Sequence, residues 1–365
     1  MRSKIRLAFI ITQFLVCLAF LFAALIPYID PSQFTLIAFI GILYFYLLLT
    51  VLLFLIISVL IKTKWFFLPL VTLILNFQQI RVVFAFNFFS DFKNEKNDDH
   101  LRILSWNVSW WTESEYSSGN YQDNSFRNLM MDLVEIQNAD ILCFQEFFEC
   151  SNPVLYPSNI SHLKKLGYEY YLFSPSLFMR DSTLLFGLAV FSKKPFTNTF
   201  FDNSIPGQNS EGFQFADIEF SGKKLRIFNT HLESPQFDRK EYTEAGIDFD
   251  SKNIYNRLEN GYAIRKKQVD FLSYHLRQST FPSILCGDLN DIPNSYTYFN
   301  LKNEMQDAFI KQGSGLGRSF RFILPTLRID YIFADNNFSV EQFTRLRYDY
   351  SDHYALVTDL KINSD

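Results

Sequence analysis

Eight polar residues stand where apolar runs give out. ILSWN ends on Asn107, ILCFQE on Glu146 and RIFNTH on His231. ILCGDLN carries Asp288 and Asn290, RIDYIF holds Asp330, and SDHYALV opens with Asp352 and His353. The runs are strand-like in length and composition, so each polar group is delivered to a strand end, where a sheet fixes it rigidly. One acid buried at such a place is usually a satisfied structural group. Several buried together require a cation or shared protons. The set offers carboxylates, carboxamides and two imidazoles, with no thiolate cluster. Hard oxygen donors suit Mg²⁺, which keeps several waters and binds phosphate oxygens. A soft zinc site would want Cys and His together, and none is spaced for it. Cleaving a phosphate ester needs charge neutralised on oxygen, a base for water and donors for the developing charge. All three are present.

The elements that must position these residues alternate between β and α. Strands are predicted at 101–108, 140–146, 168–174, 186–192, 213–220, 225–232, 283–288, 328–333 and 353–362. Phe126, Leu129, Met130, Leu133 and Ile136 follow helical spacing, as do Val269, Leu272 and Leu276 before Pro282. Ser-Gly-Lys between the strands at 213–220 and 225–232 predicts a hairpin. The polar stretch 237–260 reads as an exposed loop. GSGLG, with Gly313, Gly315 and Gly317, reads as a mobile loop near the cleft, and Arg265-Lys266-Lys267 as a solvated helix face. A pair of mixed sheets with helices outside fits this order better than one parallel sheet.

The chain has 365 residues, 48% of them hydrophobic, with 42 Phe. That content excludes disorder. Residues 1–100 carry 8 basic and 5 acidic side chains, and residues 101–365 carry 26 and 33, so the parts are +3 and −7. The second part is long enough to bury a full core. The first excludes a purely soluble chain. Residues 7–29 contain no charge and follow Arg2, Lys4 and Arg6; they are too long for a signal peptide's apolar region and read as a retained span. Residues 34–61 are a second uncharged run, followed by Lys62 and Lys64. A third, 65–89, contains Pro69, Gln78, Gln79 and Arg81, and reads as a span, with a re-entrant or interfacial helix as the other options. By the positive-inside rule the N-terminus and the 62–64 loop face the cytoplasm. If the third run spans, all that follows is extracytoplasmic, in a multi-pass protein of the cell membrane. Residues 90–100 read as a linker. The four cysteines, Cys17, Cys143 and Cys286 among them, do not settle a redox compartment.

SWNV, CFQE, THLES, CGDLND, RIDYIF and SDHYALV, in this order over 101–363, resemble the endonuclease/exonuclease/phosphatase superfamily, and the hydrophobic start resembles its membrane-anchored bacterial members. The superfamily includes deoxyribonuclease I, apurinic endonucleases, sphingomyelinases and inositol polyphosphate 5-phosphatases. The resemblance implies a four-layered α/β sandwich with two central sheets, here preceded by transmembrane helices. It implies hydrolysis of phosphoesters with Mg²⁺, or Mn²⁺, as cofactor, by in-line attack of water. Glu146 resembles the principal metal ligand, Asn107 the amide beside metal water or phosphate, and Asp352 a further metal-site carboxylate. Asp288 resembles the residue that orients or deprotonates water, and Asn290 its partner. His353 resembles the imidazole on the scissile phosphate, Asp330 the acid that holds it, and His231 a second histidine that donates to phosphate. The carboxylate expected beside His231 in the deoxyribonuclease branch is marked by no motif. WNVSWW departs from the apurinic endonuclease pattern, and GDLNDIPN from the 5-phosphatase pattern, which weakens both substrates. The expected partners are a phosphoester, nucleic acid or phospholipid, and the bilayer; no protein partner is inferable. The other function class is a membrane-bound scaffold or binding protein on an inactive copy of the fold.

Overall fold

The hydrophobic start folds into a bundle of helices. These are α1 (Arg2–Ala23), α2 (Thr35–Ile40), α3 (Tyr44–Leu60), α4 (Phe67–Leu75) and α5 (Phe77–Val83). The structure is a computed structural model and describes residues 2–116, 125–205, 207, 210–234, 251–322 and 324–363. Two helical stretches, Lys4–Tyr28 with 25 residues and Gly41–Leu60 with 20, are long and apolar enough to cross a membrane. A third, Lys64–Leu75 with Phe77–Val83, is bent by 62°. Side-chain bonds give the directions. Gln13 Nε2 donates to the Trp65 carbonyl at 2.8 Å and Gln79 Nε2 to that of Ala24 at 3.2 Å, so the third stretch runs parallel to α1. Ser58 Oγ donates to Gln13 Oε1 and Tyr44 Oη to Asn76 Oδ1, so α3 runs the other way. Such bonds hold helices together where apolar surroundings give no hydrophobic drive.

The third helix is shorter than the predicted 65–89. It ends at Val83, and β1 (Ala85–Phe86) leaves the bundle as a strand.

The remaining elements are β2 (His100–Asn107), α6 (Ser125–Gln137), β3 (Ile141–Cys150), α7 (Asn159–Lys165), β4 (Tyr170–Met179), β5 (Leu184–Ser192), β6 (Phe196–Asp202), β7 (Gly212–Phe220) and β8 (Lys223–His231). There follow α8 (Ser251–Arg277), β9 (Ser283–Asp288), α9 (Tyr296–Lys302), β10 (Gln306–Asp307), α10 (Ala308–Gln312), β11 (Ser314–Gly315), β12 (Asp330–Ala334), β13 (Phe338–Leu346) and β14 (Ala355–Ile362). They form two six-stranded sheets, ordered β13-β14-β2-β3-β5-β4 and β10-β12-β9-β8-β7-β6, with a small β1-β11 ribbon. The pairs β2–β3 and β8–β9 are parallel and the other pairs antiparallel, so both sheets are mixed.

Strand periodicity sorts the side chains into layers. Ile103, Ile141 and Cys143 face Ile227, Ile284 and Cys286 between the sheets. Leu104, Trp106, Leu142 and Phe144 face outward onto Met130, Met131 and Val134 of α6. Phe228, Leu285 and Phe333 face outward on the other side onto Val269 and Leu272 of α8 and Tyr298 of α9. Helix, sheet, sheet, helix is the expected four-layered α/β sandwich.

Three readings change. GSGLG is tied down: Ser314 and Gly315 pair with Phe86 and Ala85, and a Cβ on Gly317, at φ +70, would meet Phe309 and Arg328 within 2.7 Å. Arg265 is buried, donating Nε to the Glu233 carbonyl at 2.8 Å with Nη1 3.4 Å from Asp291. Of the expected loop 237–260, residues 251–260 open α8, and 237–250 lie outside the described residues. The stretch 90–100 is held to the sandwich: Lys96 pairs with Asp140 at 2.6 Å, and Arg102 donates to the carbonyls of Lys93 and Asn94.

Candidate active site

Strand register puts the polar ends in one row. His231 lies opposite Asp288 across the parallel β8–β9 pair, and Asp330 opposite Asp288 across β12–β9. In the other sheet Asn107 lies opposite Gln145, and Glu146 follows in a bulge between Phe144 and Phe147 at φ 51. The bulge re-aims the carboxylate toward the other sheet, a usual role of bulges beside sites. Gly287 is required at its place, because a Cβ there would lie 2.2 Å from the Thr230 carbonyl oxygen.

Asn107 joins the sheets. Its Nδ2 lies 2.9 Å from Glu146 Oε1 and 3.1 Å from Asp288 Oδ2. Asp288 Oδ1 accepts the Asn290 N–H at 2.9 Å, and Asn290 Nδ2 donates to the Leu232 carbonyl at 2.8 Å. Asn290 therefore fixes the loop after β9, at φ 50. His353 Nδ1 lies 2.8 Å from Asp330 Oδ2, leaving Nε2 3.6 Å from Asp288 Oδ2. Ser351 Oγ, which donates to the Asn107 carbonyl at 2.8 Å, also receives the His353 N–H. His231 Nε2 lies 3.8 Å from both Glu146 Oε1 and Asp288 Oδ2. Asp352 is half-buried beside this group, and its Oδ1 lies 3.2 Å from Ser351 Oγ. All eight residues singled out from the sequence meet at this end of the sandwich.

Glu211 is a ninth member that no motif marked. Its Oε2 lies 3.2 Å from His231 Nδ1 and accepts the Glu146 N–H at 2.9 Å. It is the carboxylate partner of His231. A signal existed: counting back through the β7–β8 hairpin places Gly212 opposite His231, with Glu211 next.

The electrostatics follow from crowding. Burial, then the Asp352 and Glu211 charges, push the Glu146 carboxyl up to about 7 against the pull of His231. Burial and Asp330 raise Asp288, against both imidazoles. Burial would lower the two histidines, yet Glu211 with Asp288 and Glu146 pushes His231 up to about 9. Asp330 and Asp288 likewise hold His353 well above the ordinary imidazole range.

Five carboxylates, Glu146, Glu211, Asp288, Asp330 and Asp352, thus crowd two imidazoles. Ligand atoms of Asp288, Asp330 and His353 all lie within 4.8 Å of one another. Within this trio Asp330 Oδ2 and His353 Nδ1 already pair with each other at 2.8 Å. The oxygen-rich corner of Glu146, Asn107 and Asp352 is what fits a hard divalent cation: the Glu146 carboxyl resists ionisation there, and a cation would relieve it.

The fold is a two-sheet α/β sandwich with its polar residues gathered at one strand end. The family model for the endonuclease/exonuclease/phosphatase family matches residues 104–353, and the chain belongs to that family, whose members are phosphoester hydrolases. A model described as a domain of unknown function matches residues 6–83. No curated protein matches the chain. Among solved structures, the human Nocturnin catalytic domain with bound sulfate is 18% identical with a TM-score of 0.54, covering 76% of this chain and 98% of its own. An endonuclease/exonuclease/phosphatase from Beutenbergia cavernae is 18% identical at TM-score 0.52, covering 73% and 72%. One from Bacteroides vulgatus is 16% identical at 0.52, covering 72% and 99%. These likenesses show the fold.

Proposed function

We propose that the chain is a membrane-anchored, divalent-metal-dependent hydrolase of phosphoester bonds, of phosphodiesterase or nuclease type, with residues 1–89 as membrane part and 101–363 as catalytic part. The observation that carries this reading is the meeting of Asn107, Glu146, Asp288 and the Asp330–His353 pair at one strand end, with hydrogen bonds from Asn107 to Glu146 and Asp288 and within the Asp330–His353 pair. A scaffold on an inactive copy would have no reason to keep that set complete.

Glu146, with Asn107 and Asp352, would hold Mg²⁺ or Mn²⁺. The ion would supply neutralisation of phosphate-oxygen charge and a more acidic water. The chain's own groups do the rest. Asp288 Oδ2 faces Asn107 Nδ2 and both imidazole Nε2 atoms, so it is the acceptor that orients a water and takes its proton. His353 carries its proton on Nε2 and donates it to a phosphate oxygen, with Asp330 fixing the ring. His231, kept charged by Glu211, donates from Nε2 on the other side.

The bundle bears on which side of the membrane this site would face. The basic cluster 2–6 begins α1 and 62–64 lies near Gln13, both away from the Ala23 end that meets the sandwich, and the third stretch returns the chain toward that end. Read as three spans, this puts the catalytic part outside the cytoplasm of a multi-pass membrane protein. The native cysteines are all buried, so Asn97→Cys, at an exposed position, should alone react with an impermeant maleimide in intact cells. Protection until the cells are lysed would overturn the three-span topology.

Among phosphoesters we favour those presented at a lipid surface. The net charge of −7 over 101–365 opposes nonspecific nucleic-acid binding, which draws on a basic surface. Purified full-length protein in nanodiscs should hydrolyse sphingomyelin or phosphoinositides faster than DNA or RNA. Activity should vanish with chelator and return with Mg²⁺. No metal-dependent turnover on any of the four would leave the scaffold reading standing.

A further inference from the structure

We infer that the membrane bundle is part of the catalytic apparatus, and that Asn294 is a positioning residue through which the end of α1 sets the loop carrying Asp288 and Asn290. The inference extends the hydrolase reading above, but its structural content concerns how that loop is held.

The last carbonyls of a helix lack partners within the helix. At the end of α1 the Ala23 carbonyl receives Asn294 Nδ2 at 2.9 Å, a donor from the sandwich. Asn294 is 1% exposed, and among the described residues its Oδ1 has no partner, so this one bond holds the amide. Gly41 closes the joint from the other side. A Cβ there would lie 3.3 Å from Ile292 Cδ1 and 3.4 Å from the Asn294 carbonyl oxygen. The bundle and the loop 289–294 therefore touch closely enough that a methyl group at Gly41 would make the Ile292 side chain give way by a few tenths of an ångström.

That loop begins at Asp288. Ile292 is four positions after Asp288, so chain reach alone keeps their Cα atoms within about 14 Å of each other. The loop is rigid between the two. Asp291 accepts from Thr297 Oγ1 at 2.7 Å and from Tyr331 Oη, through its carbonyl, at 2.8 Å. Displacement at Asn294 is thus passed to Asn290 and Asp288 rather than absorbed.

The strand on the other side of Asp288 is held the same way. Arg328, two residues before Asp330, is buried and donates Nη2 to the Val82 carbonyl at the end of α5, with Nη1 on Asp307 at 2.6 Å. The β1–β11 ribbon then leads into Ser319, whose Oγ accepts the Asp330 N–H at 3.0 Å, and Phe320, whose ring packs on His353 at 5.0 Å. Both segments that carry the proton-handling groups are anchored on the domain-side end of the bundle.

The test uses full-length protein in nanodiscs, with bis(4-nitrophenyl) phosphate and Mg²⁺ as the activity probe. Misplacing reacting groups by about 1 Å can cost on the order of 10²-fold. Asn294→Ala and Gly41→Val should each lower kcat on the order of 10–100-fold with KM within about twofold. Amide hydrogen exchange over 286–295 should quicken while exchange in β2 and β3 stays unchanged. A role in packing alone would lower thermal stability and leave the kcat of the folded protein and the local exchange as in wild type; that result would overturn the inference. Should Gly41→Val not fold, Asn294→Ala, which deletes one amide, decides alone. Should no phosphoester be turned over even by wild type, the exchange comparison still decides this point while the hydrolase reading fails separately.

Discussion

Replacing Asp330 by Asn is expected to lower turnover on the order of 10²–10⁴-fold and to move the loss of activity at high pH toward lower pH. The reason lies in the 2.8 Å contact between Asp330 Oδ2 and His353 Nδ1. Burial favours the neutral ring, and Asp330 foremost, with Asp288, overcomes it, so His353 titrates well above the ordinary range. The raised value makes the imidazolium form available as a donor through the neutral range, and activity should fall as pH rises through it. With Asn in place of Asp the ring keeps its burial and loses its main counter-charge, so it deprotonates sooner. The sign for stability is the same. A histidine raised by a carboxylate contributes stability in full below its ordinary value of about 6.5, lost as pH climbs through the raised one. His353→Ala should cost at least as much turnover. The double variant should be no worse than the worse single one, because the two act as a unit. Fully additive losses in kcat would show that the side chains work independently.

Glu146→Gln should weaken Mg²⁺ binding by more than the about 10–100-fold that loss of an outer-shell partner costs, with turnover falling alongside. The variant has a second, opposite consequence. Burial and the Asp352 and Glu211 charges hold Glu146 up at about 7. A carboxyl raised in the fold is a stability cost that is absent below its ordinary value near 4.3 and complete above about 7. Metal-free Glu146→Gln should therefore melt higher than metal-free wild type at pH 8, and no higher at pH 4. Added Mg²⁺ should raise the melting temperature of wild type at pH 8 and leave the variant where it was. Equal Mg²⁺ responses from the two proteins would remove Glu146 from the metal site.

Local signals served the strands well where they were apolar and buried on both faces. The predicted strand at 283–288 coincides with β9, and 101–108 differs from β2 by one residue at each end. They failed where a strand is half solvated. β6 and β13 mix polar and apolar residues along much of their length, and neither was predicted. Arg265 reads as solvated because its neighbours Lys266 and Lys267 are charged, yet Asp291 and the Glu233 carbonyl, distant in sequence, bury it. Glu211 was missed for a related reason: its role comes from the β7–β8 register, not from any run it ends.

By itself the sequence determined which groups the site would contain, because an apolar run that stops on a polar residue puts that residue at a strand end in whatever sheet it joins. It also determined the order of layers, since periodicity two and periodicity near four demand different faces. Only the tertiary structure decided the rest. The bridge from Asn107 to both Glu146 and Asp288 exists because two sheets stack, and stacking brings together residues 181 positions apart. The joint between Asn294 and Ala23 spans 271 positions. It forms because the end of α1 leaves carbonyls that some distant donor must satisfy, and no local pattern names the donor.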